Sequence, residues 1–149
     1  IQFLIAGIGS EKWNDFSSKN LITFNYNKSI KWKRLLYNAS DLTIVPSINE
    51  NFPNVILESM SCGTPVISFN TGGISNIVNN KNGVLVEKFN INKFIKSISL
   101  LSKNKRILEA LKEDSRKTIV RKFSVNNEVK NYIKIYKKIL NENNHKSNK

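Results

Sequence analysis

The sequence contains one cysteine, one histidine, three prolines, six glycines and fewer than half as many acids as bases. Each shortage excludes something. Cys62 has no cysteine to pair with inside the chain, and His145 stands alone in "NENNHKSNK", so no set of side chains has metal-ligand spacing and no metal site is expected. A reducing, cytoplasmic compartment is the expectation that goes with such cysteine usage. No apolar run approaches the roughly 20 residues of a membrane helix. The opening "IQFLIAGIGS" has no charged leader before it and reads as a buried strand rather than a secretion signal. A chain that opens inside a strand reads as a fragment. Internal repeats and linkers are also missing.

What is present fits one domain able to bury a sizeable core: 149 residues, 40% hydrophobic and 23% charged. The 24 Lys and Arg against 11 Asp and Glu give a net charge of +13. Such a charge suits nucleic acid, anionic lipid or phosphorylated substrates, and equally a compositional bias, because the lysines are scattered among many Asn and Ile residues.

Five apolar runs of strand length, "FLIAGIG" (3–9), "LITFNY" (21–26), "LTIVPS" (42–47), "PVISFN" (65–70) and "GVLVE" (83–87), alternate with longer polar segments. Of those segments "EKWNDFSSKN", "SIKWKRLLYNAS" and "PNVILESMSCG" read as helices, and "GGISNIVNN" holds a short one. This rhythm predicts an α/β fold, a Rossmann-like parallel sheet flanked by helices. After Glu87 the pattern turns helical, through "INKFIKSISLLSKN" and "KRILEALKEDSRKTIVRKF" to a segment with Val129, Tyr132, Ile133, Tyr136 and Ile139 or Leu140 on one stripe. Residues 1–140 are predicted to form the domain, and 141–149 a disordered tail.

In "ENFPNVILE" two carboxylates, Glu50 and Glu58, frame a predicted helix start at Pro53, where proline suits the first helical position. Ligands of open parallel sheets gather at the carboxyl ends of strands, and "LTIVPS" ends just before Glu50. The free amides of Asn54 and Val55 and the helix dipole can hold a phosphate or a sugar oxygen. Glu58, among Val55, Ile56, Leu57 and Met60, needs hydrogen-bond donors if its face is covered, and the vicinal hydroxyls of a ribose would serve. A nucleotide-sugar clamp follows. The bland alternative makes Glu50 a solvated loop acid and pairs Glu58 with a lysine. Cys62, Trp13, Trp32 and Tyr37 are read as packing or interface residues, and Gly63 as a helix stop.

At "PSINENFPNVILESMSCGTPVIS" the chain resembles the glutamate-x7-glutamate region of retaining glycosyltransferases of family 4, which have the GT-B fold. "YNASDLTIVPS", "TGGISNIVNNKNGVLVE", "FLIAGIGS" and "FSVNNEVKNYIKIYKKIL" are similar to further segments of that family, in the same order and over nearly the whole chain. The resemblance implies the C-terminal, donor-binding half of such an enzyme. Glu50 would contact sugar hydroxyls at the reacting carbon as the catalytic residue, Asn51, Phe52 and Pro53 would line the sugar and phosphate site with Asn54 and Val55 at the phosphates, and Glu58 would hold the nucleotide ribose. It implies transfer of a hexosyl or N-acetylhexosaminyl group, with retention, from a nucleotide sugar (UDP-linked by preference). The acceptor would be a glycan or lipid-linked molecule of bacterial surface polysaccharide synthesis, with no cofactor, no nucleic acid and peripheral membrane contact where the acceptor is a lipid.

Three departures from the family stand out. The glycine-arginine-lysine phosphate clamp and the acceptor domain lie outside this chain, Asn76 stands where a glutamate is usual after Gly72-Gly73, and "FNYN" lacks a glycine near Tyr26. Two other readings compete, a noncatalytic nucleotide- or polyanion-binding module and an inactive transferase remnant. No Asp-x-Asp pair occurs, so the metal-dependent chemistry of the other major transferase fold is not indicated.

Overall fold

The computed structural model describes residues 1–14 and 19–147. The strands come first: β1 (Phe3–Ala6), β2 (Leu21–Phe24), β3 (Thr43–Val45), β4 (Val66–Phe69) and β5 (Gly83–Val86). Each matches an apolar run of the sequence, trimmed at its ends. Helices α1 (Ile30–Ala39) and α2 (Asn54–Ser61) alternate with them, while α3 (Ile91–Lys103), α4 (Lys105–Lys122) and α5 (Val125–Ser147) close the chain. Short 3-10 turns occupy Ser10–Trp13 and Gly72–Asn76.

All strand pairs are parallel. β1 lies beside β2, with Phe3 opposite Leu21, and β4 lies between β3 and β5, with Ile67 opposite both Ile44 and Val84. β4 is buried at all four positions, as a strand covered on both faces must be. Because side chains alternate across a strand, Val66 joins one core with Ile56 and Met60 of α2 and Ile119 of α4. Ile67 and Phe69 join a second core with Phe94 of α3 on the other face, the two rings 4.7 Å apart.

Local chemistry sets the helix ends. The hydroxyl of Ser29 accepts from the Trp32 amide, and Asn90 accepts from the Lys93 amide at 3.0 Å. Asn104 ends α3 and opens α4, accepting from the Ile107 amide at 3.2 Å. Gly63, at φ +81°, stops α2 in the left-handed region that favours glycine.

The structure adds detail to the expectations at four points. Of the segment "EKWNDFSSKN" expected to be a helix, Glu11–Trp13 belong to a 3-10 turn capped by Gly9, and residues 15–18 lie outside the described residues. Pro53 is the cap of α2 and not its first residue: its ψ of 120° is extended, and a fixed φ serves an extended cap as well as a first turn. α5 runs to Ser147, into the segment 141–149 expected to be a disordered tail. The parallel sheet is divided, with β1 and β2 in one part and β3, β4 and β5 in the other.

Candidate functional site

The loop from β3 to α2 carries Glu50, and the turn after β4 holds that loop in place. The Thr71 hydroxyl donates to the Ile48 carbonyl at 3.1 Å, and the Gly73 amide donates to the Asn51 carbonyl at 2.9 Å. Both glycines are required by close approach: a Cβ on Gly72 would collide with the Glu50 carbonyl, and one on Gly73 with the Asn51 carbonyl. Phe52 packs against Phe123 at the end of α4, with ring centres 5.8 Å apart, and Pro53 is buried. Glu50 is half-buried, whereas Asn51, Phe52, Asn54 and Val55 are exposed.

α2 begins at Asn54, so the Asn54 and Val55 amides precede its first backbone hydrogen bond, which runs from the Ile56 amide to the Pro53 carbonyl at 3.1 Å. These two donors and the positive end of the helix dipole form a small anion-attracting corner beside Glu50.

One turn further along α2, Glu58 meets α1. Lys33 Nζ lies 3.0 Å from Glu58 Oε1, and the Tyr37 hydroxyl donates to Oε2 across 3.2 Å. Lys33 and Tyr37 are four residues apart and therefore share a face of α1. Burial first, and then the adjacent Glu58 charge, push the Tyr37 hydroxyl well above the ordinary tyrosine range, so it remains a donor. The ion pair is about a third exposed on each side, which limits it to less than about 1 kcal/mol. A carboxylate has about four acceptor positions, two on each oxygen, so a ligand hydroxyl can still bind where Lys33 and Tyr37 do not. The bland reading of Glu58 as a lysine partner and its reading as a ligand acceptor are therefore compatible.

Glu58, Lys33, Tyr37 and Val55 open onto a cavity of about 1360 Å³, together with Gly7, Ile8, Tyr26, Asn27 and Pro46 from the carboxyl ends of β1, β2 and β3. Glu50, Asn51, Phe52, Pro53 and Asn54 do not line it; they occupy the loop just before α2. Residue reading missed Lys33 and assigned Tyr37 to packing. The four-residue spacing on α1 was the available signal, but the crossing of α1 over α2 that makes it useful is a tertiary fact. Asn76 lies in the short turn after Gly72, and Cys62 is half-buried at the end of α2. Among the described residues no group of His, Cys, Asp and Glu could hold a metal, and no helix is long and apolar enough to cross a membrane.

The chain is similar to known proteins in sequence and in fold. The chain is 29% identical over 103 residues to an uncharacterised glycosyltransferase of Methanocaldococcus jannaschii, covering 68% of this chain and 26% of that one. It is 29% identical over 126 residues to the capsular polysaccharide biosynthesis glycosyltransferase CapM of Staphylococcus aureus, covering 81% and 33%. Among solved structures, Anabaena HepE in complex with UDP superposes with a TM-score of 0.79 at 18% identity, covering 93% of this chain and 41% of that one, and so shares the fold of a GT-B C-terminal domain. The chain thus spans about a quarter to a third of the length of these curated relatives. The sequence pattern of the family described as glycosyl transferases group 1 matches residues 1–118, and the chain belongs to that family.

Proposed function

We propose that this chain is the donor-binding part of a retaining family 4 glycosyltransferase that moves a hexosyl or N-acetylhexosaminyl group from a UDP-sugar to a glycan or lipid-linked acceptor in surface polysaccharide synthesis. The observation that carries the proposal is the Lys33–Glu58–Tyr37 group facing a large cavity at the carboxyl ends of three parallel strands. UDP bound to Anabaena HepE and the capsular role in the name of CapM support the choice of donor and product. Work at the cytoplasmic face of a membrane fits an acceptor carried on lipid.

In this reading Glu58 accepts from the ribose hydroxyls, and the Asn54 and Val55 amides meet the diphosphate. Asn51, Phe52 and Pro53 shape the wall at the sugar, and Glu50 orients its hydroxyls. The bond from the anomeric carbon to the diphosphate oxygen breaks, and the acceptor oxygen bonds to that carbon on the same face. The acceptor proton passes to the departing diphosphate. Charge growing on the diphosphate is met by fixed amide dipoles, which do not have to reorganise during the step. Glu50 stays unmodified throughout.

Ligand-detected NMR with UDP, GDP, ADP and UDP-N-acetylglucosamine at two salt concentrations tests this. Selective UDP contact, weakened roughly tenfold by Glu58→Gln, is expected, a loss equivalent to about 1.4 kcal/mol. Equal binding of all nucleotides, steeply lost with salt and indifferent to Glu58→Gln, would instead identify a polyanion-binding module.

A further inference from the structure

The cavity beside Glu58 holds polar side chains that neither the ribose nor the diphosphate uses. Asn27, in the loop after β2, lines it together with Tyr26, whose ring is half exposed. The Ser29 amide donates to Asn27 Oδ1 at 2.8 Å, a turn that orders the loop ahead of α1. Capping of α1 itself belongs to Ser29, whose hydroxyl accepts from the Trp32 amide.

That one bond to the Ser29 amide fixes the chemistry of Asn27. A carboxamide has an oxygen that accepts and a nitrogen that donates, and it can ordinarily turn either toward a ligand. Here the oxygen is held by a backbone donor, so a flip of the side chain would bring two donors face to face. Among the described residues Nδ2 has no protein partner, and Asn27 offers its donors to the cavity. Lys33 lines the same cavity from the first turn of α1, and its ammonium also has donors alone.

The course of the ligand brings a base to this loop. With the diphosphate at the Asn54 and Val55 amides and the ribose at Glu58, the base lies on the far side of the ribose from the phosphates, away from the start of α2. Beyond α1 and α2 the cavity wall comes from the carboxyl ends of β1 and β2, with Gly7, Ile8, Tyr26 and Asn27. Tyr26 supplies an aromatic face for a flat ring, and Asn27 meets its edge.

We propose that Asn27 is a base-selecting residue: its Nδ2 donates to the O4 keto oxygen of uracil and so rejects cytosine, which carries an amino group at that position. This deepens the nucleotide reading of the Glu58 cavity and rests on it. Two donors facing each other leave both unpaired, a stronger ground for rejection than a difference in size. The preference thus has a repulsive part as well as an attractive one.

UDP and CDP share ribose and diphosphate and differ only along that base edge. Each is titrated by NMR into the isotope-labelled chain, unaltered and with Asn27→Asp, at neutral pH and moderate salt. The aspartate keeps an oxygen for the Ser29 amide and turns the free end from donor to acceptor. Its added charge weakens both nucleotides alike, so the ratio of the two affinities is the readout. The unaltered chain is expected to bind UDP about tenfold more tightly than CDP, with the Asn27 side-chain NH2 signals moving for UDP and not for CDP. In Asn27→Asp the ratio is expected to fall to one or below. Equal affinities in the unaltered chain would overturn the proposal, as would an undiminished preference for UDP in the variant. If the variant does not fold, the NH2 signals decide, and signals that stay still as UDP binds overturn the proposal by themselves. Glu58→Gln separates the two levels. If it weakens UDP and CDP equally while the unaltered chain binds both alike, base selection by Asn27 fails alone; if it weakens neither, the nucleotide reading fails and base selection falls with it.

Discussion

Tyr37 and Glu58 show how a single hydrogen bond can keep a carboxylate both ordered and available. The Tyr37 hydroxyl has its ionisation raised above its ordinary value of 10.0 by burial and by the Glu58 charge. Above pH 10 the folded chain therefore holds a proton that the unfolded chain releases, and folding stability falls as pH rises from there. A spectrophotometric tyrosinate titration should find Tyr37 missing from the ordinary step in the folded protein, and Tyr37→Phe should leave that step unchanged in height. A smaller step in the variant would mean that Tyr37 ionises freely and does not donate to Glu58. Gly73 carries the other residue-scale prediction. Gly73→Ala pushes a methyl group into the Asn51 carbonyl, so the loop must move or the turn must strain, at a cost of about 1–3 kcal/mol. Chemical denaturation measures that loss. An unchanged midpoint would show that the turn does not hold the Glu50 loop.

The elements are legible in the sequence to different degrees, for physical reasons. β4 announces itself as "PVISFN" because a strand covered on both faces must be apolar at every position. The ends of α1, α3 and α4 follow from Ser29, Asn90 and Asn104, whose side chains satisfy the first free amides. Asn104 serves two helices, so Asn104→Ala should cost about 1 kcal/mol, seen as a lower denaturation midpoint at unchanged slope. A loss below measurement would show that the cap bond does not persist in solution. α5 bears the predicted apolar stripe, with Val129, Tyr132, Ile133, Tyr136 and Ile139 all exposed and the two tyrosine rings 6.2 Å apart. A periodic pattern records the need for a cover and not its identity.

At the scale of the molecule, the sequence conveys the order of elements more readily than their assembly. The acids Glu50 and Glu58 could be singled out because a strand end and a helix start flank them. Lys33 and Tyr37 could not, because only the packing of α1 against α2 joins them to Glu58. The net charge of +13 also acts at this scale, drawing any polyanion toward the lysine-rich helices, so binding by itself does not locate a site. The most direct measurement is therefore a map: amide and side-chain NMR shifts of the chain titrated with UDP at moderate and high salt. The account predicts shifts that persist in high salt at Asn54, Val55, Glu58, Lys33 and Tyr37. Shifts confined to the lysines of α4 and α5, and erased by salt, would contradict it.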